Sequence, residues 1–205
     1  MIPTRNLIAT LLVSCALGLA PAAVQAAPGA PEAMVKATVS DVLAIIKQAK
    51  DKRSLRQMAE EKVLQNFDFK EMTRSAVGPG WAKASPAQKD ALENGFRTIL
   101  VNTYTSALSM PGSADAAVDI KAVPGSAGQS DATVKTVVKQ AGKQPVQIDY
   151  RLSSTSGDWK VNDVVVGGMS LITTYRGTFS EAINRDGVDG LIKMIDDKNR
   201  AIAGA

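Results

Sequence analysis

Apolar positions recur every three or four residues in the first half of the chain, every second residue from about 118 to 166, and every three or four again to the end. Val35, Val39, Val42, Leu43 and Ile46, with Lys36, Asp41 and Lys47 between them, predict an amphipathic helix. A second helix is expected from about Ser54, with Leu55, Met58, Ala59 and Val63 inward and Glu60, Glu61 and Lys62 outward. Asn66-Phe67-Asp68-Phe69 interrupts the pattern, a short helix (70–77) follows, and Gly78-Pro79-Gly80-Trp81 reads as a rigid turn. Ser85-Pro86-Ala87-Gln88 combines an N-cap, a proline at the first helical position and the closing Gln of a capping box. The helix it opens carries Leu92, Phe96, Ile99, Leu100, Thr103, Tyr104 and Leu108, and Pro111-Gly112 ends it.

Alternation then takes over in Val118–Lys121, Val134–Val138, Val146–Leu152 and Trp159–Val166, separated by turn residues at hairpin spacing. After Gly167-Gly168, read as a tight strand-to-helix connection, Ser170 caps a helix bearing Leu171, Ile172, Tyr175 and Phe179. A last helix carries Val188, Leu191, Ile192 and Ile195. Helices, four strands, then helices predict an α+β fold: a curved antiparallel four-stranded sheet wrapped by N- and C-terminal helices.

The N-terminus reads differently. Arg5, an apolar run from Leu7 to Leu19 and Val24-Gln25-Ala26 form the three parts of an export signal, so residues 1–26 are expected to be cleaved. A flexible leader (27–31), one domain with a helical subdomain (32–200) and a short tail (201–205) complete the expected organisation. Leu12-Val13-Ser14-Cys15 also fits a lipoprotein box, with Cys15 as the lipidated residue. Cleavage after Ala26 removes the one Cys of the 205-residue chain, which excludes disulfide and thiol chemistry from the mature protein.

Composition narrows the chemistry further. With no His, the Ser-His-Asp and Cys-His hydrolase classes and imidazole-ligated zinc are excluded. Without Arg5 the balance is 23 basic to 20 acidic groups, well interspersed, which argues against a nucleic-acid partner. Walker and dinucleotide glycine spacings are absent. Glu60-Glu61 and Asp196-Asp197 lie beside lysines on helix exteriors and read as solvated faces, so neither a metal nor a cofactor is expected. Strict alternation places Asp163 on one face with Trp159, Val161 and Val165. There it is either a general base in an apolar pocket, as in an isomerase-like enzyme, or a carboxylate engaged by an ion pair or a local backbone cap. Trp81, Phe67 and Phe69 are core residues or ligand contacts.

Taken in order, Phe67-Asp68-Phe69-Lys70-Glu71-Met72 to Gly80-Trp81, Ser85-Pro86-Ala87-Gln88 to Phe96-Arg97 and Tyr104, and Val146–Leu152 resemble the MlaC (toluene-tolerance) family. So do Trp159-Lys160-Val161-Asn162-Asp163-Val164, Gly168-Met169-Ser170-Leu171-Ile172 with Tyr175-Arg176 and Phe179, and the helix from Gly187 to Asn199. Asn162 departs from the family pattern, where an aromatic residue is expected. The resemblance implies a soluble periplasmic phospholipid carrier without a catalytic residue, on a cystatin-like or nuclear-transport-factor-like cone. It implies shuttling between an outer-membrane lipoprotein–porin complex and the substrate-binding subunit of an inner-membrane ABC transporter, which maintains outer-membrane lipid asymmetry. The protein is expected to act as a monomer. Face assignment gives a lipid-binding lining of Leu100, Tyr104, Val138, Ile148, Tyr150, Val165, Leu171, Tyr175 and Phe179, with Arg151 and Arg176 toward a head group. An adaptor protein with a filled core is a further alternative.

Overall fold

The computed structural model describes residues 30–110, 112–122, 130–154 and 158–203. The expected export signal (residues 1–26) and Cys15 lie outside them. Helix α1 (Ala30–Gln48) begins inside the expected leader, and α2 (Lys52–Lys62) begins two residues before Ser54. The cap of α2 is Asp51, whose carboxylate accepts from the Ser54 amide at 2.7 Å while the Ser54 hydroxyl accepts from the Asp51 amide at 3.1 Å. This reciprocal box makes Ser54 the third helical residue, not the cap.

A 3-10 turn, Leu64–Asn66, leads to α3 (Phe69–Val77), capped by Asp68, and to α4 (Gly80–Lys83), a single helical turn where a plain turn is expected. Helix α5 (Pro86–Leu108) starts on the Ser85–Gln88 box read from the sequence. Five strands follow: β1 (Ala117–Ala122), β2 (Asp131–Lys139), β3 (Val146–Ser154), β4 (Trp159–Val166) and β5 (Met169–Ser170). They form one antiparallel sheet in the order β1-β2-β3-β4-β5.

The fifth strand corrects the expected count of four. Gly167 and Gly168 take φ of 57° and 85°, the pair of positive values that a two-residue hairpin turn requires, so the chain reverses onto β4 before entering the helix. Helix α6 (Leu171–Ala203) follows directly. It comprises the two helices expected, meeting at Gly187, whose φ of 70° and ψ of −170° only glycine adopts readily.

Register decides which side chains share a face. Leu152 pairs with Val161, but its neighbour Arg151 pairs with Asp163, so the ladder skips Asn162. This β-bulge inverts the alternation beyond it. Trp159, Val161, Val164 and Val166 lie on the face of Val134, Ile148, Tyr150 and Leu152; Asp163 and Val165 lie on the other. The expectation that Asp163 and Val165 share a face with Trp159 and Val161 is therefore corrected: strict alternation fails by one residue.

Apolar burial is divided among three clusters. Phe96, Ile99, Leu92, Phe179, Leu191 and Ile195 anchor a helical layer of α3, α5 and α6. Val35 of α1 packs on Val134, Leu152 and Val161 of the sheet. Ile45, Leu55 and Val63 join α1 to α2. Half-buried Phe67 packs against all three. Its backbone bridges to Val161 in parallel register, and the Asp68 amide donates to the Val161 carbonyl at 2.9 Å. The outer edge of β4 is thus covered by β5 at one end and by Phe67-Asp68 at the other, which satisfies an edge that otherwise invites association.

Candidate functional site

Half-buried apolar side chains lie on one face of the sheet and, separately, at the edges of the helical clusters. On the sheet these are Val138, Ile148, Tyr150, Val164 and Val166, all on the face that α1 covers over Val134, Leu152 and Val161. From the helices come Tyr104 and Leu108 of α5 and Leu171 and Tyr175 of α6, also half-buried. Helix α1 packs directly on the sheet, whereas the main neighbours of α5 are α6, α2 and α3.

The expected lining residues divide accordingly. Val138, Ile148 and Tyr150 share one sheet face as expected from their alternation. Tyr104 and Tyr175 pack on the edge of the helical cluster. Leu100 and Phe179 are buried within it, Phe179 lying edge-on to Phe96 at 5.1 Å, so both belong to the helical core. Val165 opposes Asp149 and is buried on the far face, away from Ile148 and Tyr150. Val164 and Val166 hold the positions assigned to it. Sequence reasoning missed those two because the bulge leaves no hydrophobic signature: the run Val164-Val165-Val166 is apolar on both faces.

Three phenols mark this region. Burial pushes the Tyr150 hydroxyl up to about 12 and the Tyr104 hydroxyl to about 12, the latter with a smaller contribution from Tyr175; burial also raises Tyr175. None of the three hydroxyls makes a hydrogen bond to the described residues. Tyr175 stands 4.8 Å from Phe96 and 5.5 Å from Phe179, so its ring is fixed by packing. The chemistry this set offers is a wall of aliphatic and aromatic carbon with a few neutral donors, the pattern of an apolar ligand site.

Asp163 belongs to a different arrangement. One carboxylate oxygen accepts from Arg151 at 3.0 Å and from the Ser170 hydroxyl at 2.7 Å; the other accepts from the Ile172 amide at 3.3 Å. It ties the strand ladder to the first turn of α6, where negative charge is favoured. Of the two arginines expected near a head group, Arg151 is held by Asp163, and Arg176 donates Nε to the Ser75 carbonyl at 2.9 Å on the outer side of α3. Among the described residues, no group of three or more carboxylate or sulfur side chains could hold a metal ion, and no helix is long and apolar enough to cross a membrane.

An open five-stranded antiparallel sheet and a separate helical layer, each bearing half-buried apolar residues, define an α+β protein. The chain belongs to the MlaC protein family, whose model matches residues 36–197. It is 32% identical over 115 residues to the toluene tolerance protein ttg2D of Pseudomonas putida. That alignment covers 56% of this chain and 51% of the relative, so the chain spans about half the length of the curated relative it matches. A solved structure of a phospholipid-binding protein from Ralstonia solanacearum, in complex with a phospholipid, is similar with a TM-score of 0.74 and 32% identity. The match covers 83% of this chain and 97% of that one.

Proposed function

We propose that this protein is a periplasmic phospholipid carrier, exported by the segment 1–26. In this reading it shuttles lipid between an outer-membrane lipoprotein–porin complex and the substrate-binding subunit of an inner-membrane ABC transporter, and so maintains outer-membrane lipid asymmetry. The observation that carries the reading is the similarity, over 83% of the chain, to a protein solved with a phospholipid bound. In this reading the acyl tails lie between sheet and helices, against Ile148, Tyr150, Val164, Tyr104 and Tyr175, with Val138, Val166 and Leu171 beside them.

The physical need for such a carrier is large. At about 0.8 kcal/mol per methylene, two chains of roughly 16 carbons expose on the order of 25 kcal/mol of apolar surface to water. A dry protein lining offsets most of that cost, and no bond is made or broken. The alternative of an isomerase with Asp163 as base is disfavoured because Arg151, Ser170 and the Ile172 amide already occupy that carboxylate. The test is organic-solvent extraction of protein purified without detergent, followed by mass spectrometry. About one phospholipid per chain is expected. Its absence, or its unchanged presence when Ile148 and Tyr150 are both replaced by Asp, overturns the reading.

A further inference from the structure

The helical layer carries a second feature, built from residues the expected acyl lining does not use. A cleft of about 390 Å³ is lined by Arg74, Ser75, Gly78, Pro79, Trp81, Ala82 and Arg176. The last turn of α3, the Gly78-Pro79 link and α4 form one wall, and α6 forms the other; no sheet residue takes part. Its volume falls in the range of about 300–1,000 Å³ typical of small-ligand sites.

Two guanidinium groups meet there from separate helices. Arg74 gives Nε and Nη2 to the Glu71 carboxylate, both at 2.7 Å, which fixes its plane. Arg176 is anchored through Nε to the Ser75 carbonyl, and its two terminal nitrogens make no hydrogen bond to the described residues. The Lys89 ammonium stands 5.6 Å from the centre of the Trp81 ring. Glu71 pairs with Arg74, and Asp68 also acts on that guanidinium; Arg176 makes no ion pair among the described residues, so its charge is left uncompensated in the cleft. Adjacent positions on α6 diverge by about 100°: Tyr175 packs on Phe96 and Arg176 reaches Ser75, and none of the phenols lines the cleft.

The geometry points to this cleft as a binding site for a phosphate ester, the chemistry shared by a phospholipid head group and a soluble organophosphate. The terminal N–H groups of Arg176, pinned through Nε to a backbone carbonyl, suit the oxygens of a tetrahedral anion better than a mobile ammonium would, and Arg74 adds charge beside them. The indole of Trp81 and the ring of Pro79 offer an apolar wall for the carbon side of the ester. A purely structural role for Arg176, capping the end of α3, accounts for the Ser75 bond but not for a second guanidinium, the indole and an open cleft.

The test uses the purified protein in two arms: calorimetric titration with glycerol 3-phosphate, and flotation with vesicles of phosphatidylglycerol and phosphatidylcholine. Arg176→Gln is expected to weaken whichever arm binds by about tenfold and Arg74→Gln by less, because charge-assisted fork contacts are the strong ones. Lys143→Gln, a surface change on the β2–β3 turn, controls for general charge. Binding in the soluble arm alone identifies an organophosphate; binding in the vesicle arm alone, or competition between the two, identifies the head group. No binding in either arm, or equal binding by wild type, R74Q and R176Q, overturns the site. Should R176Q fold poorly, R74Q with Arg176→Lys still decides: the first weakens binding, and the second retains charge but loses the fork. Co-purifying phospholipid, measured in the same variants, is expected to stay unchanged, which separates failure of this site from failure of the carrier reading.

Discussion

Arg151 on β3 and Asp163 on β4 stand directly opposite each other, Nη1 to Oδ2 at 3.0 Å, with the arginine side chain half exposed and the carboxylate 8% exposed. The pair exists because the ladder skips Asn162: without that bulge, Asp163 would point into the apolar face under α1. The same carboxylate accepts from the Ile172 amide at the start of α6, so one residue fixes both the sheet register and the entry of that helix. Asp163→Asn is expected to lower stability by about 1–2 kcal/mol, the range for losing a cap and a charge-assisted hydrogen bond. A urea midpoint measures it. Lipid co-purifying with D163N is expected to match wild type; an empty but folded variant would contradict the structural assignment of this residue.

Phe67 is the next test, because three apolar clusters meet on one ring. Truncation to Ala removes contacts from each cluster at once, and a half-buried site loses less than the 3–5 kcal/mol of a fully buried Phe. A cost of about 2–3 kcal/mol is expected. Chemical denaturation gives the value. In the carrier reading F67A also loses lipid, since the ring spans sheet and helical layer; full lipid content in folded F67A would remove Phe67 from the binding region.

Much of this architecture is legible in the sequence. Ser85-Pro86 and Gln88 announce α5 because capping is local chemistry, and the four long strands follow from period-two alternation. What escaped was set by register. A two-residue strand such as Met169-Ser170 has no period to detect, and Asn162 gives no sign of being passed over by its partner strand. Strict alternation consequently puts Val165 on the wrong face, since Val164, Val165 and Val166 are interchangeable to any pattern. The split of the core into three clusters is likewise invisible in sequence, because periodicity shows that a face is buried but not against what.

Gly95 tests the seam between α5 and α6. A Cβ at this position would lie 2.5 Å from Ile195 Cγ2, inside contact distance. Gly95→Ala gains about 0.5–1 kcal/mol of helix propensity, but forcing a methyl into a packed interface costs about 1–3 kcal/mol. Net destabilisation of about 1 kcal/mol is expected. Adding Ile195→Val removes one neighbour methyl, and its penalty is expected to be smaller in the G95A background than in wild type. Strict additivity in that double-mutant cycle would show the two positions do not touch.

Alkaline titration reads the aromatic band directly, since the chain has three tyrosines and burial raises all of them. A phenol whose folded value lies above its unfolded value holds its proton more tightly in the native state. The stability this contributes is fully present below the ordinary value of 10.0 and is lost as pH rises from there toward about 12 for Tyr104 and Tyr150. Native protein should therefore show almost no tyrosinate absorbance at pH 10, whereas urea-unfolded protein titrates there freely. Between those values, ionisation should accompany loss of the folded signal, because the unfolded chain releases the protons that the native one retains. Tyr150→Phe removes a hydroxyl without a hydrogen-bond partner among the described residues and so keeps neutral-pH stability while moving the alkaline transition upward. A normal titration of all three phenols in folded protein would show that water already reaches them, and with it that the band between sheet and helices is wet.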